Sequence, residues 1–451
     1  MRDVVVFVLF VTLLPTCFLK PWVGLMAFSW LAYNRTQDLT WGFARLLPIS
    51  NTIAIAMIGG WLMWEYRPFW FNNWRLRAMV ALVAVVGISM FLNTVPLEVG
   101  GTRYVELIKI VFVALLTSAL MVTRKRLRSF CYVVALGLGF YGVKNAIWYL
   151  LGGGTIVGPG GMLKDNNDFA LAMVMNLPFL WYLSYDPGDF RAAHLVKWLL
   201  RGAFGMTLLT IMSTGSRGGF LAMAVVLVLM AWKTRWKVPG IAGLVLLGML
   251  GYALAPAEYK ERVASITSTP DQSAQGRLLS WKVAGNMIRH NPVLGIGFNN
   301  MYWQYQHYLT GISLPPVAEK IPSRVAHNSY LQIWAESGTI AFALFMYLLM
   351  SSITGMRRLA AAVAGTDDDW ITGYARTIEV TLLGYMAGAM FLNRAHFDLM
   401  YQVVAVGVML PVVVVAERRR LDALRRRRLG PAKTSEVRLG HGDPFVQLPA
   451  R

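Results

Sequence analysis

Ser213-Thr214-Gly215-Ser216-Arg217-Gly218-Gly219 is a polar turn set between two apolar blocks, 195–213 and 218–232. Gly, Ser and Thr let a chain reverse, and runs of about 20 mostly apolar residues have the length that crosses a bilayer. The stretch therefore predicts two antiparallel membrane helices joined by a tight, arginine-bearing turn. Outward from it the same pattern repeats. Further candidate spans are 3–19 with 20–33, 47–64, 77–93, 104–122, 128–150, 167–185, 238–256, 329–352, 374–393 and 397–416. Pro15 and Pro21 interrupt the first pair, which reads either as one broken helix or as a short hairpin. The count is then twelve or thirteen, and twelve is favoured. The expected fold is an all-α polytopic membrane protein with one long helical loop outside the membrane.

Composition agrees. Of 451 residues, 56% are hydrophobic and only 15% charged, with mean hydropathy +0.49. Soluble domains carry about 25% charged residues. A net charge of +20 could suggest nucleic acid, but the cations cluster between apolar blocks and in the tail. That placement argues for the positive-inside rule and against a nucleic-acid partner. Cys17 and Cys131 lie inside apolar blocks and read as small buried hydrophobes, with no disulfide or zinc spacing.

Orientation follows from the basic connections: Arg67 with Arg75 and Arg77; Arg124 to Arg128; Arg191 with Lys197; Lys233, Arg235 and Lys237; Arg357 with Arg358. These fall at alternate connections and agree with the arginine-rich tail, so all are assigned to the cytoplasm. The remaining connections, 34–46, 94–103, 151–166, 214–217, 257–328 and 394–396, then face outward. The expected division is a membrane domain, 1–416, containing the outer loop 257–328, followed by a basic, disordered cytoplasmic tail, 417–451. In the loop, 276–290 reads as a helix stopped by Asn291-Pro292, Gly295-Ile296-Gly297 as a turn, and 299–309 as an aromatic amphipathic helix.

The unusual polar residues fall on that outer face. Arg217 follows a turn whose glycines allow close backbone approach and precedes a helix start, which is electropositive. Arg277, after Gly276, would supply a second guanidinium, and two such forks suit a diphosphate. His327 ends the loop within Ala326-His327-Asn328-Ser329-Tyr330, and imidazole suits proton transfer near neutrality. Substrate-binding candidates are Lys164, Arg103, Arg394, Ser216 and Asn328. A snorkelling anchor is the competing reading for Arg217, and a solvated surface charge that for Arg277. No metal-ligand spacing of the His-Glu-x-x-His kind is present, and Asp367-Asp368-Asp369 reads as a solvated charge run, so neither metal nor cofactor is expected.

The ordered set Ser-Thr-Gly-Ser-Arg-Gly-Gly, Gly276-Arg277…Trp281, Asn291-Pro292…Gly295-Ile296-Gly297 and His327-Asn328-Ser329-Tyr330 resembles the O-antigen ligase/polymerase superfamily. Met1-Arg2-Asp3, Pro21 and Leu39-Thr40-Trp41-Gly42-Phe43-Ala44 are similar to the O-glycosylation ligases associated with exosortase A. The resemblance implies a bacterial inner-membrane glycosyltransferase with about a dozen helices and a periplasmic active site. Such an enzyme moves a glycan en bloc from undecaprenyl diphosphate to an acceptor hydroxyl, on a protein or a glycan. By motif, Arg217 and Arg277 would hold the diphosphate and His327 would activate the acceptor, in an inverting reaction without metal. A polymerase of the same fold is the nearest alternative. A polyprenyl-glycan transporter, of another class, would favour broken helices and ionisable groups at the bilayer midplane.

Overall fold

The computed structural model describes residues 2–154, 156, 158–160, 163–188, 190–234, 237, 239, 242–243, 272–312, 321–365 and 368–429. Among the described residues every regular element is helical. The α-helices are α1 (Arg2–Leu19), α2 (Pro21–Asn34), α3 (Ile49–Met63), α4 (Trp74–Leu92), α5 (Leu97–Leu120), α6 (Arg124–Leu150) and α7 (Asn166–Leu183). They continue with α8 (Ala193–Ser213), α9 (Arg217–Trp232), α10 (Gln272–His290), α11 (Met301–Leu309), α12 (Ser329–Ala362), α13 (Asp369–Ala389) and α14 (Asp398–Leu429).

Six of them, α1, α4, α6, α8, α12 and α14, are long and apolar enough to cross a membrane, and α3 and α9 are shorter apolar helices. The chain is thus consistent with a multi-pass membrane protein, while the expected twelve spans are not reached by length and apolarity alone. Physical reasons are visible in the others. α2 has 14 residues, and α5 carries Glu98, Arg103, Glu106 and Lys109. α13 carries Asp369, Arg376 and Glu379. The candidate span 238–256 lies almost wholly outside the described residues. So do the first part of the long loop, up to 271, and the tail from 430. α14 continues through 417–429, a stretch expected to be a loose tail.

The ambiguous first pair is a hairpin. Lys20-Pro21 breaks the helix, and Asp3 at the start of α1 accepts hydrogen bonds from Gly42 and Ala44 N–H beyond the end of α2. α14 forms the centre of the bundle, with 78% of its apolar window buried, whereas α1 has 6% and lies at the periphery. α7 is likewise enclosed, Phe169 to Leu177 being buried without interruption. An all-round apolar helix is stable only when surrounded.

The two ends of the bundle differ in chemistry. At one, acids clamp the basic connections. Glu65 holds Arg126, Asp186 holds Arg124 at 3.1 Å, Glu379 holds Lys233 at 2.7 Å and Arg357 at 2.6 Å, and Asp368 holds Arg418 at 2.9 Å. The other end carries the turn before α9, the start of α7, the 390–397 connection and the start of α12.

The Asn291–Gly297 turn is tied to a break in α12. Gly338 has φ +79 and ψ −179, a conformation open essentially to glycine alone. The interruption frees carbonyls, and the loop satisfies them: Ile296 N–H donates to Ala335 O at 3.0 Å and Gly297 N–H to Glu336 O at 2.9 Å. Thr339 N–H donates in return to Pro292 O at 2.8 Å, and Ser89 Oγ donates to Leu294 O at 2.5 Å. Buried backbone groups must be paired, so helix break and turn require each other. A β-carbon at Gly338 would overlap the Val293 carbonyl. Gly338→Ala is therefore expected to destabilise by at least about 1–3 kcal/mol, read as a lower midpoint of thermal unfolding in detergent. Gly285→Ala, mid-helix in α10 with open space around it, should leave the midpoint unchanged or raise it.

Candidate functional site

Three of the helices that begin at the end of the bundle away from the basic connections are each capped by a polar side chain. Asp165 accepts from Asn167 N–H to cap α7, Ser216 from Gly219 N–H to cap α9, and Asn328 from Tyr330 and Leu331 N–H to cap α12. Unpaired N–H groups and the aligned peptide dipoles make such starts electropositive.

Direct contacts tie the three starts together. Ser216 Oγ donates to Asn167 Oδ1 at 2.8 Å, and Asn166 Nδ2 to Thr214 O at 3.0 Å. Gly218 lies beneath Phe391, where a β-carbon would sit 2.8 Å from the Phe391 side chain. Asp168 in α7 forms a close, half-shielded ion pair with Arg394. The Arg394 N–H donates to Ser329 Oγ at 2.8 Å, and Ser329 Oγ to Leu392 O at 2.7 Å. The first turns of α7, α9 and α12 thus form one unit around the 391–394 connection.

His327 is the last residue before the α12 cap and is a non-glycine residue with positive φ, +47. L-residues enter that region at a cost and stay only when neighbours fix them. The neighbours here act on Ala326. Its carbonyl accepts from Trp281 Nε1 at 2.9 Å, and its N–H donates to Gln332 Oε1 at 3.0 Å. Gln332 is in turn bonded to the buried Glu336. His327 is exposed, yet the surrounding protein removes part of its hydration. That desolvation is the main reason its pKa falls below the usual 6.5; Arg277 and then Arg324 add to the fall, while Asp165 and Asp168 oppose it. The fall favours the neutral ring, the form that can accept a proton.

Arg217 is exposed at the first position of α9. Arg277 is half-buried in the second turn of α10 and acts electrostatically on His327. Lys164 is exposed beside the Asp165 cap. Ser216 and Asn328 are buried with their oxygens engaged as caps, and Arg394 is neutralised by Asp168. Arg103 belongs to another neighbourhood. It pairs with Glu106 at 2.9 Å on α5, and its charge acts on His396, which burial first and then Arg394 and Arg103 hold down to about 4. His396 packs edge-on against Phe298, with centroids 5.5 Å apart.

The structure places three further charged groups around His327: Asp165 and Asp168, from the polar run 164–168 expected on the outer face, and Arg324, which the sequence reading did not single out. Arg324 covers Gly276, where any β-carbon would collide with its guanidinium, so the glycine before Arg277 is a seat for a second arginine. A cation three residues before the histidine was the available signal. Asp168 could have been sought as the counter-ion that a partly buried Arg394 needs. Among the described residues there is no cluster of three metal-ligating side chains.

Residues 202–346 match the family model described as O-Antigen ligase, and residues 1–184 match a family of unknown function. The first match contains Arg217, Arg277 and His327 and supports membership of the O-antigen ligase superfamily and a membrane glycan-transfer role. No curated protein matches the chain. A chain from the structure described as "Structural coordination of polymerization and crosslinking by a peptidoglycan synthase complex" is 18% identical, with TM-score 0.38, over 77% of this chain and 98% of that one.

The charge arrangement predicts opposite responses. Arg324→Gln should raise the His327 pKa and Asp165→Asn should lower it. The pH dependence of diethyl pyrocarbonate modification of His327, followed by peptide mass spectrometry, measures both. Shifts of the same sign in the two variants would refute the arrangement.

Proposed function

We propose that this chain is a periplasmic-facing glycosyltransferase of the bacterial inner membrane. It would transfer a glycan en bloc from undecaprenyl diphosphate to an acceptor hydroxyl, with a protein as the favoured acceptor. One observation carries the reading: a His327 biased toward its neutral, proton-accepting form stands in the field of Arg277, on a rim joined by direct contacts to the helix start that bears Arg217. The match of residues 202–346 to the O-antigen ligase model supports it independently.

In this mechanism His327 takes the acceptor proton as the acceptor oxygen bonds to the anomeric carbon. The bond from that carbon to the diphosphate oxygen breaks, and its electron pair leaves with undecaprenyl diphosphate. Configuration inverts, because attack and departure occur on opposite faces of the carbon. Arg217 and Arg277 would offset the charge that develops on the leaving diphosphate, and the α9 start adds its dipole. Lys164 at the rim would act as a further cation. Ser216, Asn328 and Arg394, engaged in caps and an ion pair, would hold the site's shape. The donor supplies its own activated leaving group, so neither nucleotide nor metal is needed.

A broken helix is also a feature of transporters. Here the carbonyls of Ala335 and Glu336 at the break accept from Ile296 and Gly297 N–H, which favours a structural role over an ion site. The periplasmic assignment rests on the basic connections gathered at the opposite end.

In vitro transfer from undecaprenyl-diphosphate glycan to candidate acceptors tests the proposal. His327→Ala is expected to lower the rate about 10²–10⁴-fold, and Arg217→Ala and Arg277→Ala each about 10²–10³-fold. EDTA should leave the wild-type rate unchanged. Full activity in all three variants would sink the mechanism. Product that stays on lipid and lengthens would identify a polymerase, and a topology reporter within 257–328 found in the cytoplasm would refute the orientation.

A further inference from the structure

At the end of the bundle opposite His327, a groove of about 760 Å³ lies between the first three turns of α6, the residues Pro187, Gly188 and Phe190, and the last apolar turns of α14. Its volume is in the range of ligand sites. Its walls divide by chemistry. Arg124, Lys125, Arg128 and Arg420 supply cations, while Val122, Tyr132, Phe190 and Val413 supply apolar surface. We propose that this groove binds one anionic phospholipid of the adjacent leaflet, with a headgroup carrying two phosphates and acyl chains laid along α6 and α14.

Among the described residues few carboxylates compensate these charges. One carboxylate, Asp186, serves both Arg124 (3.1 Å) and Arg128 (3.8 Å) and also accepts from the Tyr374 hydroxyl at 3.1 Å. The Nε atoms of Arg124 and Arg128 are buried without a hydrogen-bond partner. Glu417 reaches Arg420 only at 3.4 Å. Among the described lining residues Arg124, Lys125, Arg128 and Arg420 outnumber the one carboxylate, Glu417, with Asp186 beside them, a surface suited to an anionic headgroup. The α6 start, capped by Thr123, adds its positive dipole end to the same rim.

The groove's geometry is also built in. Gly188 has φ +110, and a β-carbon there would strike Arg128 and Phe190, so glycine lets this connection close over the arginine. Tyr132 fixes the same segment by donating to Pro187 O at 2.6 Å. Apolar surface continues from the cationic rim to Val413 on a membrane-length helix, as a lipid requires and a soluble anion does not. Basic pockets between spans on the positive side are suited to phosphate headgroups.

Native mass spectrometry of the detergent-purified full chain, titrated with cardiolipin, phosphatidylglycerol or phosphatidylethanolamine, tests the site. One cardiolipin should be retained in preference to the other two. Lys125→Gln and Arg420→Gln, at the rim and outside the Asp186 cluster, should each weaken retention about fivefold. Arg128→Gln should weaken it further, with circular dichroism and the unfolding midpoint reporting whether that variant is folded. Equal retention of all three lipids, or undiminished cardiolipin binding in the folded Lys125/Arg420 double variant, would overturn the proposal. Displacement of cardiolipin by micromolar inorganic pyrophosphate would also overturn it, in favour of a soluble anion.

Discussion

A guanidinium withdrawn from water stays charged only if a carboxylate goes with it, and the Arg394–Asp168 pair meets that condition where four segments meet. Asp168 belongs to the first turn of α7, Arg394 to the connection between α13 and α14, and the Arg394 backbone reaches Ser329 in the first turn of α12. α9 joins through Asn166, Asn167 and Phe391. Loss of either charge would leave the other buried and uncompensated, which costs far more than the pair contributes. This pair is one of the contacts that hold the three electropositive helix starts together.

The all-helical class was readable because apolar block length and alternating basic connections are one-dimensional signals. So were the Asn291-Pro292 stop, the Gly295–Gly297 turn and the polar turn before Arg217. Less legible was what the polar residues do. Ser216 and Asn328 stood out because they are polar at span ends, and they are polar because helix starts need caps. The sequence does not separate a hydroxyl that caps from one that binds. Arg103 and Arg394 looked alike in sequence, yet one pairs locally with Glu106 and the other across the fold with Asp168. Pairings over long separations are set by packing, which no local pattern encodes. The Gly338 break was missed for a related reason: one glycine in an apolar run is unremarkable until a partner for the freed carbonyls is known.

The two ends divide the work of stability. At the basic end Glu65, Asp186, Glu379 and Asp368 engage cations from other segments, Asp186 and Glu379 engaging two each, and these contacts hold the connections in register. At the other end Arg217, Lys164 and His327 are exposed. Ligand chemistry requires groups that solvent can reach, and they are placed where the fold is already braced from elsewhere.

Arg277 and Trp281 stand one turn apart on α10, and Trp281 grips the carbonyl of the residue before His327. Displacement of α10 away from the bundle would therefore withdraw the arginine and disturb the histidine in one movement. On the proposed reading, the acid–base group and a leaving-group clamp are armed together or not at all. An unattended donor would then meet neither, and water could not readily substitute for the acceptor. Protection of a costly lipid-linked glycan from hydrolysis would follow from a single indole hydrogen bond.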